Sequence, residues 1–146
     1  LSPQIKSTNF LNNILAKRES IAAGTFDSLF LNWKDELTEC TVSNLFFISG
    51  KTLHTPALDC GILDGITRTI VMTLAQEEGV PVREGHYHLA DLQRAEECFL
   101  TNTSMEIMPV NRVDSFAIGD GRPGSLTRRL QTRFADSRTR FLEPTS

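Results

Sequence analysis

The chain has 146 residues, 40% of them hydrophobic and 23% charged, with a formal net charge of −3. This is the composition of one soluble globular domain of about average size, and it excludes disordered, collagen-like and coiled-coil chains. No apolar run approaches the roughly 18 residues of a membrane span. The N-terminus shows no signal peptide, and the acidic balance disfavours a general nucleic-acid binder.

In chain order, Leu11, Ile14, Leu15 and Ile21 recur at helical spacing, with Asn9 as a possible cap and Gly24 past the end. A strand is expected over 28–33, followed by a charged turn at Lys34-Asp-Glu36. Residues 37–49 are rich in Thr, Val, Ile and Phe and predict one or two more strands. Ser49-Gly50-Lys51 makes a hairpin turn, with a return strand over 52–55 closed by Pro56. A strong helix runs from about Ile66 to Glu78 and stops at Gly79, its apolar face being Ile66, Ile70, Val71, Leu74 and Ala75. A strand over 80–87, a short helix over 91–97, and strands over 98–102 and 107–110 come next. A loop at 119–124 leads into a last helix over about 125–141, with Leu126, Leu130 and Phe134 facing the core. Hairpins first and helices interspersed give an α+β, or mixed α/β, architecture in a single domain spanning 1–146.

Four features could carry chemistry. Lys6 precedes the first helix; an isolated lysine is ordinarily a solvated charge, but one buried in an apolar pocket loses proton affinity and can form a Schiff base. Asp64-Gly65-Ile66-Thr67-Arg68 opens the long helix, where free N–H groups and the positive end of the helix dipole suit either a plain cap or a phosphate. Thr101-Asn102-Thr103-Ser104 puts short polar side chains directly after an apolar strand, as a ligand loop or simply a polar one. Glu39 lies within a β-branched stretch; it either faces outward or, if buried, needs a cationic partner.

Weaker signals are set aside. His86 and His88 share a strand face, but no third ligand is evident nearby, so no metal is expected. Cys40, Cys60 and Cys98 are odd in number, far apart and form no CxxC pair, which argues against disulfides or zinc and for a reducing cytoplasm. Gly119-x-Gly-x-x-Gly124 matches a dinucleotide fingerprint by letters alone and is read as a turn. Six arginines after position 120 are read as the solvated face of the last helix.

Taken in order, these segments resemble the C-terminal domain of the class IV (fold type IV) pyridoxal-phosphate enzymes, the family of branched-chain and D-amino-acid aminotransferases and aminodeoxychorismate lyase. The resemblance covers nearly the whole chain. It rests on Ile5-Lys6-Ser7, Leu37-Thr-Glu39, Ser43-Asn-Leu-Phe-Phe47, Leu53-x-Thr-Pro56, Gly61-Ile-Leu-x-Gly-Ile-Thr-Arg68, Phe99-Leu-Thr-Asn-Thr103 and Glu106-Ile-Met-Pro-Val110. It implies pyridoxal 5'-phosphate as cofactor and Lys6 as the Schiff-base lysine. It implies further that Glu39 pairs with the ring nitrogen, that the Ile66 and Thr67 amides and the Thr103 hydroxyl cradle the phosphate, and that Asn102 lies in the same loop.

The implied activity is transamination between an amino acid and a 2-oxo acid. The alternatives are the aminodeoxychorismate lyase elimination or a non-catalytic fragment of such an enzyme. Family members are about twice as long, so the family's N-terminal domain is expected to be absent here, with a cut just upstream of Lys6. A cytoplasmic homodimer is implied as well.

Overall fold

The computed structural model describes residues 28–40 and 43–141. Lys6 and the helix expected between Asn9 and Gly24 lie outside those residues. Seven strands form one mixed sheet: β1 (Leu29–Leu31), β2 (Leu37–Cys40), β3 (Asn44–Ser49), β4 (Thr52–Pro56), β5 (Val82–Gly85), β6 (Glu97–Asn102) and β7 (Glu106–Pro109). The central strand is β3, antiparallel to β6 from Asn44 opposite Thr101 to Ile48 opposite Glu97. Its other edge is shared. There β4 pairs with the C-terminal end, and β2 meets the N-terminal end through Glu39 opposite Asn44. β5 adds to β4 in parallel, after a crossover through α1 (Ile66–Glu77), and β7 adds antiparallel to β6.

Side chains alternate across the strands, so β3 and β6 present a different core to each side. Phe46, Ile48 and Phe99 face α1 and α3 (Ser125–Asp136), packing with Ile70, Val71, Leu74, Leu130 and Phe134. Leu45, Phe47, Cys98 and Leu100 pack on the opposite side with Leu37, Leu92 and Ile118. The expected apolar stripes of both long helices are therefore the ones buried, except that Ile66 is 70% exposed. Leu74 has no exposed surface and lies under the sheet. Leu74→Ala is expected to cost about 2–5 kcal/mol, as buried leucine truncations do, read as a lower urea midpoint with an unchanged slope.

Several boundaries differ from the sequence expectation. The short helix is α2 (Leu89–Gln93), beginning two residues earlier because Asp91 is its third residue and closes a capping box with His88. The last helix stops at Asp136, and a separate single turn, α4, follows at Arg138–Phe141. A 3₁₀ turn at Leu58–Cys60 and a two-stranded ribbon, β8 (Arg112–Val113) with β9 (Phe116–Ala117), have no counterpart in the sequence pattern.

The late arginines are not simply solvated. Arg129 pairs with Glu78, and Arg133 and Arg140 pair with Glu77, tying α3 and α4 to the end of α1. The turn at 119–124 is confirmed as a turn. The α3 N-terminus beyond it is filled by the Glu97 carboxylate, which accepts from the Thr127 N–H at 2.9 Å, leaving no place there for a dinucleotide phosphate.

Candidate functional site

Three polar residues line up across adjacent strands of the sheet. Glu39 on β2 is opposite Asn44 on β3, and Asn44 is opposite Thr101 on β6. Directly paired residues project to one face, and all three are buried, with exposures of 8%, 6% and 1%. The segment entering α1 crosses this row and is clamped at a single residue. The Leu63 N–H donates to Glu39 Oε2 at 3.2 Å, and Asn44 Nδ2 donates to the Leu63 carbonyl at 2.9 Å. Two residues on, the backbone of Gly65 passes so close to Asn44 that an added Cβ would lie 2.5 Å from its Oδ1. The close approach, not an unusual dihedral, demands glycine here.

Glu39 thus takes the inward of its two expected orientations. Burial pushes its carboxyl up to about 7, against a smaller downward pull from the Leu63 N–H. Among the described residues no cation pairs with it. A buried acid of this kind is poised to receive a cationic hydrogen-bond donor.

The start of α1 faces a similar demand of opposite sign. Gly65 is its N-cap in extended conformation and offers no side-chain cap, and the first turn holds no acidic residue. The helix dipole and the leading N–H groups, Ile66 and Thr67 among them, form an anion-binding end. Arg68 locks this end in place. Its Nη2 donates to the Pro56 carbonyl at 3.2 Å and to Glu84 at 2.5 Å, and its Nη1 donates to Asp64 at 3.2 Å. Arg68 is 3% exposed; its burial against β4 and β5 depends on a crossover that local sequence does not reveal.

The β6–β7 loop arrives at the same end of the sheet. Asn102 spends its side chain on shaping it: Nδ2 donates to Ser43 Oγ at 3.3 Å and Oδ1 accepts from the Met105 N–H at 2.7 Å. Thr103 is exposed at the loop tip. Thr101 Oγ1, fully buried beside Asn44, has no hydrogen-bond partner among the described residues. Thr101, expected in the polar segment after the strand, lies within β6, and only the pairing register places it and Asn44 beside Glu39.

The sheet therefore brings Glu39, Ile66, Thr67, Asn102 and Thr103 to one end of the molecule. The sequence profile of the amino-transferase class IV family matches residues 1–113. The chain belongs to that family. It is 38% identical over 136 residues to a D-alanine aminotransferase of Listeria monocytogenes, covering 93% of this chain and 47% of the relative. An aminodeoxychorismate lyase of Bacillus subtilis is 35% identical over 128 residues, covering 88% of this chain and 43% of the lyase. A crystal structure of a branched-chain amino acid aminotransferase from Thermobaculum terrenum, in its PLP form, superposes with a TM-score of 0.86 at 36% identity. That match covers 93% of this chain and 45% of the other.

The mixed α/β fold of class IV aminotransferases is thus the fold of this chain. The chain spans about half the length of the curated relatives it matches. Among the described residues no helix is long and apolar enough to cross a membrane.

Proposed function

We propose that the whole protein transfers an amino group between an amino acid and a 2-oxo acid with pyridoxal 5'-phosphate, and that this chain carries the cofactor-binding half of the site. The observation that carries the proposal is the buried Glu39, with no cation paired to it among the described residues, beside a helix N-terminus without a side-chain cap, within a class IV sequence. The residues fit the cofactor at both of its charged ends. Glu39 would accept from the ring nitrogen, and the Ile66 and Thr67 amides with the Thr103 hydroxyl would hold the phosphate. Asn102 would keep the Thr103 loop in shape, and Thr101 Oγ1 is a buried polar atom still lacking a partner among the described residues.

When bound, the cofactor supplies an electron sink that makes the substrate Cα–H acidic. The protein's own groups do the rest. Glu39, ionised by its new partner, would hold the proton on the ring nitrogen and so keep the sink effective. Lys6 would anchor the cofactor covalently through Nζ. Once displaced by the substrate amine, the same Nζ would take the Cα proton and return it one carbon away. The α1 N-terminus would fix the phosphate so that these atoms meet in one geometry.

The same residues serve elimination, and the Bacillus lyase match makes that the second reading. The test is to supply the whole protein with cofactor and D-alanine or a branched-chain amino acid plus 2-oxoglutarate. Amine transfer to the oxo acid is expected. Release of p-aminobenzoate from aminodeoxychorismate without an amino acceptor overturns the transaminase reading in favour of the lyase, and no turnover of either kind supports a non-catalytic chain.

Assembly belongs to the same proposal. Leu63 and Ile66 flank the candidate phosphate site and are 51% and 70% exposed, and Trp33 is 79% exposed. Apolar groups so placed are ones that an N-terminal domain and a second subunit would cover. A cytoplasmic homodimer fits that surface and the three reduced cysteines.

A further inference from the structure

A second group of chemically able side chains assembles from three segments that are remote in sequence. Glu36 immediately precedes β2, Cys60 ends the 3₁₀ turn, and His86 follows β5. An isolated bridge between Glu36 and His88, and a 2.7 Å bond from the Leu37 N–H to the Tyr87 carbonyl, lay the 86–88 segment beside β2. Glu36 and Cys60 are buried, and the His86 side chain is about half exposed.

The ligand atoms of all three lie within 4.8 Å of one another. His86 Nδ1 touches Glu36 Oε2 and stands 3.5 Å from Cys60 Sγ. The other ring nitrogen, Nε2, faces Asp59 Oδ1 at 3.1 Å. Asn32 steadies two of the three, donating from Nδ2 to Glu36 Oε1 and to the Cys60 carbonyl, each at 3.3 Å.

With its proton on Nε2, held by Asp59, the ring presents a lone pair at Nδ1 to a carboxylate and a sulfur. Three electron-pair donors then converge on one point. A carboxylate behind the far nitrogen of a histidine is the arrangement that orients metal-bound imidazoles. Bond lengths of about 2.0 Å to nitrogen and 2.3 Å to sulfur at a tetrahedral ion place those two atoms about 3.5 Å apart, which is the separation found. Glu36 and His86 sit closer than two ligands of one ion; the half-exposed ring has room to part from the carboxylate. A protonated His86 bridging Glu36 and Asp59 is the competing account, but it gives the buried thiol no part beyond a weak 3.7 Å contact with the Gly85 carbonyl.

We propose that Glu36, Cys60 and His86 bind one divalent metal ion of the zinc class, with solvent in the fourth position and Asp59 as the carboxylate behind His86. Binding would release the Cys60 thiol proton to solvent as the metal–sulfur bond forms. The ion would join the β1–β2 turn, the 3₁₀ turn and the exit of β5. Cys60 begins the very segment that runs through Leu63 and Gly65 into α1, so the ion would brace the clamp on Glu39 from behind.

The test is to strip the full-length protein with chelator and titrate it with Co²⁺. One equivalent is expected to give the visible bands of tetrahedral cobalt and a near-ultraviolet sulfur-to-metal charge-transfer band, both abolished by Zn²⁺. Cys60→Ser should remove the charge-transfer band. Asp59→Asn, at a side chain 73% exposed and so harmless to the fold, should weaken binding about 10–100-fold. Absence of the charge-transfer band, its survival in Cys60→Ser, or unchanged affinity in Asp59→Asn overturns the proposal; should Cys60→Ser fail to fold, Asp59→Asn decides alone.

Discussion

Glu39→Gln is expected to lower kcat by about 10²-fold or more, the scale of losing one preorganised electrostatic partner of the reacting group, while making the cofactor-free protein more stable at pH 8. The stability gain follows from burial. The sheet buries Glu39, and among the described residues no cation pairs with it, so burial pushes its carboxyl from the ordinary 4.5 up to about 7. Between those values the folded protein keeps a proton that the unfolded chain has already lost, so stability falls as pH rises through the window. Above pH 7 the folded protein carries a buried anion whose cost is at most about 3–4 kcal/mol.

Gln keeps an acceptor for the Leu63 N–H and removes the charge. The urea midpoint of the variant should therefore exceed that of the wild type at pH 8, and the gap should close at pH 4.5. An equal midpoint at both pH values would show that Glu39 is ionised and paired in the apo protein, contrary to the geometry described here. The kcat loss has a different origin: an amide cannot hold a positive charge on the ring nitrogen. Cofactor should still bind through its phosphate, so kcat should suffer more than cofactor affinity.

Lys6→Ala should be the more damaging change, with amine transfer reduced about 10⁴-fold or more. Proton transfer by one positioned base contributes roughly 10²–10⁴-fold by itself, and the lysine is proposed to supply the covalent anchor in addition. The residues proposed to hold the phosphate are elsewhere in the chain, so the variant should still take up cofactor, now removable by dialysis. Added small primary amines should restore part of the rate, because they replace the lost base. A purely structural lysine would show no such rescue, and a variant that transfers amines at the wild-type rate contradicts the assignment.

Much of the fold is visible in the sequence because its signals are local. Ile70, Val71 and Leu74 recur at helical spacing before Gly79, and α1 forms on that stripe. The hairpin at Ser49-Gly50-Lys51 is announced by its turn residues, and Gly50 and Lys51 both adopt positive φ. The motif at Gly65-Ile66-Thr67 correctly marks a helix start.

What stays hidden depends on partners distant in the chain. Lys34-Asp-Glu36 reads as a charged turn, yet Glu36 is 5% exposed because Asn32 and His86 pack against its carboxylate. Partners for His86 are not evident near it in sequence, whereas Cys60 and Glu36 reach it only through the β4–β5 crossover and the bridge to β2. Glu39 could be read either way, since alternation says which residues share a face but not which face is buried. The β8–β9 ribbon has only two residues per strand, too few to show a period.

The point of cofactor attachment decides whether Lys6 is the Schiff-base lysine. The whole protein, loaded with pyridoxal 5'-phosphate and reduced with borohydride, should carry one stable pyridoxyl group, and peptide mass mapping should place it on Lys6. A label on Lys17, Lys34 or Lys51, on a lysine outside this chain, or on none would contradict the assignment of Lys6 as the cofactor's anchor.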